Sequence, residues 1–310
     1  MKTKFYPLAA LLIAALATPA QNAFMIRDLK IGGNTHIDYL TVSQNKVFFS
    51  ANDSVGNQEL FSSDGSDTGT VLVKDICPGA CSGDPQELFD GGSKLYFHAN
   101  HPNLGGQLYG SDGTAIGTDT VNTTVTKGGG QFANMNGETF FVGGMFSTTG
   151  SELYKTNGTS AGTILVKDIY PGVTGGMASN IFVVGNKLFF AGNDLSGYGL
   201  FTSDGSVGNA TKILSMNFNT AQFSYRGSHN SKFYFSYNDS INGQELWASD
   251  GTIGGTVLLD LNTEVDGSSN PSEITVMNNE VYVVHCCTTI RKSLTLQKTP
   301  RSIRISVDST

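Results

Sequence analysis

The chain has 310 residues and a formal net charge of −7, and only 15% of its residues are charged. An acidic chain with five scattered arginines lacks the basic face that phosphate backbones require, so a nucleic-acid partner is excluded from the reading. Thirty-eight glycines with abundant Ser, Thr and Asn fit a turn-rich all-β protein, and regularly recurring aromatics argue against disorder.

Lys2 and Lys4 precede an apolar run from Phe5 to Ala17, followed by Thr18 and Ala20. This is the layout of a secretory signal peptide over residues 1–20, with cleavage expected after Ala20 and, less well, after Ala23. At about 13 residues the run is shorter than the roughly 20 that span a bilayer, and no transmembrane helix is expected elsewhere.

Met25 to Leu29 resembles the outer-strand sequences Leu72 to Ile76 and Leu165 to Ile169, yet no strands of its own unit precede it. The first full unit predicts four strands, Tyr39 to Ser43, Lys46 to Ala51, Glu59 to Ser63 and Thr70 to Ile76. Each is rich in aromatic or β-branched residues and bounded by Gly, Asn, Asp or Ser. Asp64-Gly65 reads as a tight turn, because glycine accepts the positive φ that such hairpins impose. Cys77 and Cys81 then flank Pro78-Gly79-Ala80 and are candidates for a small disulfide loop. Cys286 and Cys287 are adjacent, a spacing that rarely pairs without strain.

The segment Gln58 to Thr70 returns as Gly106 to Thr118, Ser151 to Thr163, around Gly199 to Gly205, and as Glu245 to Thr256. Its turn pairs are Asp64-Gly65, Asp112-Gly113, Asn157-Gly158, Asp204-Gly205 and Asp250-Gly251, with steps of 48, 45, 47 and 46 residues. A second marker keeps the beat at Lys46 to Phe49, Lys94 to Phe97, Thr139 to Phe141, Lys187 to Phe190, Lys232 to Phe235 and Val281 to Val283. Four antiparallel strands per period of about 47 residues make one propeller blade. A β-solenoid would have shorter coils. The expected fold is an all-β propeller of about six four-stranded blades over residues 24–287. Its ring would be closed by the N-terminal strand pairing with the C-terminal blade, which removes an exposed sheet edge. Residues 288–310 depart from the repeat, carry Arg291, Arg301 and Arg304, and read either as a divergent closing strand or as a truncated or frame-shifted end.

At these residues the chain resembles the secreted bacterial proteins that carry the ELWxxDGT repeat. Glu245 to Thr252 matches that unit almost letter for letter, and Glu152 to Thr159 matches with Tyr154 for Trp and Asn157 for Asp. The resemblance covers about Met25 to Val284. It implies export and a repetitive β fold, and it carries no catalytic residues over. Members often end in a sorting domain for surface attachment, and nothing after Val284 reads as one.

The repeated Asp residues invite a calcium reading, but Asn157 stands in one repeat and an Asp or Asn that bonds its own turn explains the position without an ion. No cofactor and no metal site are therefore expected, with calcium as the alternative. Phe61, Tyr109, Tyr154, Phe201 and Trp247 share one strand position and are read as packing between blades rather than as a sugar-stacking ring. Lys74-Asp75, Lys167-Asp168 and Arg27-Asp28 point to opposite faces as strand neighbours and are read as solvated charges. His36, His98, His101, His229 and His285 share no repeat position, and no acid or nucleophile accompanies them recognisably. A sialidase would need three converging arginines, whereas Arg226 is the only one between Arg27 and Arg291. Asn52, Asn122, Asn157, Asn209 and Asn238 begin glycosylation sequons, which matter only in a eukaryotic secretory pathway.

The functional expectation is a secreted or cell-surface, non-catalytic, monomeric module that binds an extracellular glycan or protein through propeller loops. No catalytic residue is assigned, and the binding residues are left open beyond the irregular loops at Pro78 to Pro85, His101 to Gly106 and Thr263 to Pro271. The alternatives are a propeller hydrolase or lyase with a central-channel site, and a structural surface repeat.

Overall fold

The computed structural model describes residue 29 and residues 35–145, 149–176, 179–217, 224–259, 267–277 and 280–284. The signal segment, Met25 to Asp28 and everything after Val284, including Cys286 and Cys287, lie outside them. Among the described residues every regular element is a β-strand.

Blade 1 is Asp38–Ser43, Lys46–Asn52, Gln58–Ser63 and Val71–Lys74 (β1 to β4). Blade 2 is Gln86–Asp90, Leu95–His101, Gly105–Ser111 and Asp119–Thr120 (β5 to β8), and blade 3 is Thr126–Met135, Glu138–Met145, Gly150–Thr156 and Ile164–Lys167 (β9 to β12). Blade 4 is Ser179–Val184, Lys187–Asp194, Gly197–Ser203 and Thr211–Ser215 (β13 to β16). Blade 5 is Ser224–His229, Lys232–Asn238, Gln244–Ser249 and Val257–Leu259 (β17 to β20). Blade 6 is described for Ser272–Met277 and Glu280–Val284 (β21 and β22). All pairing is antiparallel in chain order, and blades 2 and 3 are joined at one further residue pair, Gln107 with Thr126. In blade 1 the strands lie within a residue of the expected bounds except at β4, which starts at Val71 and ends at Lys74.

The first hairpin of a blade turns through two left-handed residues, Gln44 and Asn45 (φ 53° and 59°) in blade 1, Asn136 and Gly137 in blade 3, and Asn230 and Ser231 in blade 5. Such turns match the natural strand twist. The first strand of most blades is also bulged, with a left-handed residue at Tyr39, Glu87, Asn180 and Glu273. These first strands approach one another from blade to blade, β1 against β5, β9 against β13 and β17 against β21. Thr41 Oγ1 donates to Leu88 O at 2.9 Å, Ser43 Oγ to Asp90 Oδ1 at 2.8 Å, and Asn134 Nδ2 to Asp90 O at 2.9 Å.

Strand alternation gives each blade two apolar faces, and the core consists of the layers between blades. Phe48 and Leu60 of blade 1 meet Leu88, Phe97 and Tyr109 of blade 2. Tyr96 and Leu108 then meet Phe141 and Tyr154, Phe140 and Leu153 meet Leu188 and Phe201, and Phe189 and Leu200 meet Phe233 and Phe235. Tyr234 and Leu246 meet Val281 and Val283. Each fully buried Phe adds on the order of 2 to 3 kcal/mol, so the interfaces rather than the single sheets supply stability. Tyr109, Tyr154 and Phe201 are buried in these layers as the sequence predicts, Phe61 is buried with Phe49 and Ala51 on the opposite face of blade 1, and Trp247 is only partly buried. Leu29 packs on Phe49 and Phe61, on the face of blade 1 turned away from blade 2.

Candidate functional site

The strand connections fall at two ends of the blades. At the turn end, between third and fourth strands, a single hydrogen-bond circuit is repeated. Asp112 Oδ1 accepts from Thr114 N at 2.9 Å and from Thr114 Oγ1 at 2.7 Å, and that hydroxyl oxygen accepts from Gly117 N at 3.0 Å. Thr118 Oγ1 donates to Thr114 O at 2.6 Å and meets Ser111 Oγ at 2.7 Å, while Ser111 Oγ accepts from Gly113 N. The same circuit is built on Asp64, Asn157 and Asp250, and in shorter form on Asp204. Gly65, Gly113, Gly158, Gly205 and Gly251 all have positive φ, between 81° and 90°. The serine and threonine bonds hold the exposed carboxyls of Asp64, Asp112, Asp204 and Asp250 below their ordinary range.

The second glycine of the turn has a different reason. A Cβ on Gly69, Gly117, Gly162 or Gly255 would lie 2.0 or 2.1 Å from the carboxyl or amide of Asp64, Asp112, Asn157 or Asp250. The side chain folds back over that backbone, and only hydrogen fits beneath it.

At the loop end the decisive residues are glutamates that the sequence reading passed over. Glu59, Glu152 and Glu245 are fully buried at the head of the third strand. Glu59 accepts from Ile76 N at 2.7 Å and Gly83 N at 2.8 Å, clamping the Cys77 to Ser82 loop to its own blade. Glu152 accepts from Ile169 N at 2.9 Å, Tyr170 N at 3.3 Å and Gly176 N, and Glu245 from Ser269 N and Oγ, both at 2.6 Å. The clamp spans 24 residues in all three blades. Desolvation raises the carboxyls of Glu59 and Glu152, the latter to about 7, against the lowering pull of the backbone N–H groups. A constant Glu followed 24 residues later by Gly or Ser was the available signal. Two blades depart from it. Gln107 takes the place in blade 2, where the connection is short, and Gly199 takes it in blade 4, where the Lys212 side chain lies across the glycine.

Within the clamped loop of blade 1, Cys77 and Cys81 are joined by a disulfide with Cα atoms 5.4 Å apart. Two charge readings change. Lys74 Nζ donates to Thr118 O on the neighbouring blade, and Asp168 Oδ1 is buried without a hydrogen bond, so neither behaves as a free surface charge. His98 does have an acid beside it, because the bulge in β5 turns Glu87 Oε2 to within 2.9 Å of Nδ1. The imidazole stacks on Phe132 and is 1% exposed, and its Nε2 is buried without a hydrogen bond. Among the described residues no group of three or more His, Cys, Asp or Glu converges as a metal site. A cleft of about 610 Å³ beside blade 1 is walled by Leu29, Asp53, Val55, Phe61, Leu72 and Asp75. No helix among the described residues is long and apolar enough to cross a membrane.

No family model matches the chain, and no curated protein matches it in sequence. Solved structures similar to it include TolB from Acinetobacter baumannii, at 12% identity over 72% of this chain and 53% of that one, TM-score 0.41. A puromycin hydrolase is 14% identical over 74% of this chain and 39% of its own, TM-score 0.44. A prolyl endopeptidase is 13% identical over 79% and 37%, TM-score 0.49. The chain spans about half or less of the length of these structures.

Proposed function

We propose that the protein is an exported, non-catalytic propeller of six blades, akin to the ELWxxDGT repeat proteins, that binds an extracellular glycan or protein through its loop end. The observation that carries this reading is the row of aliphatic tips there. Val55, Leu195 and Ile241, at the tips of second hairpins, are 73%, 78% and 73% exposed, and Val173 protrudes from a clamped loop. Exposed apolar side chains on loops with pinned roots form a preorganised contact surface. The expected binding loops at Pro78 to Pro85 and His101 to Gly106 lie at this end, and the first part of the third, Thr263 to Asp266, lies outside the described residues. Ring closure belongs to the same proposal: Met25 to Leu29 completes blade 6 as its fourth strand, consistent with Leu29 on the free face of blade 1.

The test is binding of purified residues 21–310 to a glycan and polysaccharide panel, with calcium and then chelator, beside the double variant Leu195→Ser with Ile241→Ser. Saturable binding weakened at least tenfold by the double variant is the expected result. Binding that the double variant leaves intact overturns the loop-end assignment. No binding from protein with a cooperative melt overturns the glycan branch and directs the search to photo-crosslinking of a protein partner at position 195.

A further inference from the structure

The innermost layer between blades contains one substitution that packing does not explain. Nine positions before Phe97, Phe141, Phe190 and Val283 stand Leu88, Phe132, Ile181 and Ile274, and all four join the apolar layer facing the preceding blade. Nine positions before Phe235 stands Arg226. It pairs with Phe235 across β17 and β18, and Phe235 pairs with Trp247 across β18 and β19. Paired residues share a face, so the three side chains emerge in one row toward blade 4. Two strand spacings put Arg226 and Trp247 roughly 10 Å apart at the backbone. Phe235 stacks on the indole at 6.4 Å between ring centroids, and Tyr237 tilts against it at 5.8 Å.

Two donors in this row are left without acceptors. Arg226 Nη1 and Trp247 Nε1 are both buried and neither makes a hydrogen bond. Among the described residues no carboxylate forms an ion pair with the guanidinium, and its desolvation pulls its pKa down. A desolvated guanidinium without an anion is costly, and nature replaces it with an apolar residue unless something binds there. The sister blades have that apolar residue. The planar fork of an arginine matches a carboxylate in two parallel hydrogen bonds, and an indole N–H and aromatic faces beside it suit the body of a small organic acid.

We propose that Arg226 holds the carboxylate of a small acidic ligand between blades 4 and 5, with Trp247 and Phe235 forming the wall and Trp247 Nε1 a second donor. This site is separate from the loop end and stands whether or not that end binds a glycan. The chain's own acids at Asp260, Glu264 and Asp266 are the competing source of a carboxylate.

The experiment measures melting of purified residues 21–310 in buffers of matched ionic strength, with sodium acetate, sodium glucuronate, sodium sulfate or sodium chloride. Arg226→Leu restores the residue of blade 2 and serves as the comparison, and Arg226→Lys keeps the charge but not the fork. The expected result has three parts: Arg226→Leu melts higher than wild type in chloride, carboxylate salts raise the wild-type melting temperature, and they leave both variants unmoved. Titration calorimetry with glucuronate should then show binding at least tenfold weaker in both variants. A wild type that responds no more than Arg226→Leu overturns the proposal, as does an Arg226→Leu protein that melts lower in chloride. An equal response to sulfate overturns the carboxylate assignment. A response that appears only after Asp260→Asn, Glu264→Gln and Asp266→Asn together shows that the chain's own acid fills the site, and overturns the free-ligand assignment.

Discussion

The two ends of the blades use carboxyl groups in opposite ways. At the turn end the acid is exposed, bonds only its own turn and has a lowered pKa. At the loop end the acid is buried, reaches backbone 24 residues away and has a raised pKa, about 7 for Glu152. The turn acid keeps its hydration and gains local hydrogen bonds, whereas the loop acid loses hydration in order to pin a long connection. The turn is therefore a local device that each blade repeats, and the clamp is a long-range device fitted only where the connection is long. Blade 2 shows the other side of this rule. Its short connection bonds directly through Val121 N to Leu108 O at 2.9 Å, and Gln107 stands where the glutamate would be.

Removing a clamp should be the most damaging single change. Glu152→Ala leaves the N–H groups of Ile169, Tyr170 and Gly176 without their acceptor, a loss of about 3 kcal/mol or more when buried donors are stranded. Gln107→Ala strands no donor of a connecting loop and should cost about 1 kcal/mol. Urea denaturation of both variants decides the matter, and equal losses would break the distinction between clamped and unclamped blades.

At the turn end, two adjacent glycines make a controlled pair. A Cβ on Gly255 would sit 2.0 Å from Asp250 Oδ1, while one on Gly254 meets nothing within 4 Å. Gly255→Ala should cost about 2 kcal/mol through displacement of the aspartate and its bonds, and Gly254→Ala less than about 0.5 kcal/mol. Melting curves that place the two variants together would show that the carboxyl does not cover the backbone.

The opposed pKa directions also divide the pH axis. Glu152 binds its proton more tightly folded than unfolded, so stability is highest below its unfolded value of 4.5 and falls as pH rises from there to about 7. The lowered turn acids give the reverse: their contribution is present above 3.8 and is lost as pH falls below it through their folded values. Stability should therefore peak between pH 4 and 5, about 3 kcal/mol above its value at pH 8 for a shift of this size. Glu152→Gln should flatten the alkaline limb and leave the acid limb in place, and a denaturation series across pH that shows the wild-type slope in that variant would remove Glu152 as its source.

The strands and the blade period were legible because they rest on local chemistry. Lys46 to Phe49 and its counterparts announce the strand, and Asp-Gly announces a turn whose φ only glycine adopts easily. The position of Tyr109, Tyr154 and Phe201 between blades followed from alternation alone. The glutamate clamps were not legible in the same way. Glu59 looks like any strand-edge charge until the fold returns Gly83 to it from 24 positions away. His98 and Glu87 are eleven positions apart and meet only because the bulge in β5 puts Glu87 at φ 56°. Arg226 read as evidence against an enzyme class, and its apolar register became visible only once the pairing with Phe235 was fixed. Long-range partners are set by topology, which a repeat motif does not encode residue by residue.

The smallest expected effect tests whether the turn needs an acid at all. Asn157 already performs the role of Asp112, accepting from Thr159 N at 3.1 Å and Thr159 Oγ1 at 2.7 Å through a neutral oxygen. Asp112→Asn should accordingly cost no more than about 0.5 kcal/mol at neutral pH, because an exposed charge adds little to bonds the amide oxygen also accepts. It should also weaken the acid limb of the pH profile, since one lowered carboxyl is gone. Asn157→Asp is the reciprocal change and should steepen that limb at similarly small cost. The pair separates the turn from an ion site. If calcium were held by these carboxyls, Asp112→Asn would lower the melting temperature in calcium and not in chelator, and Asn157→Asp would raise it in calcium. A turn that serves only its own backbone predicts the same small shift in both buffers.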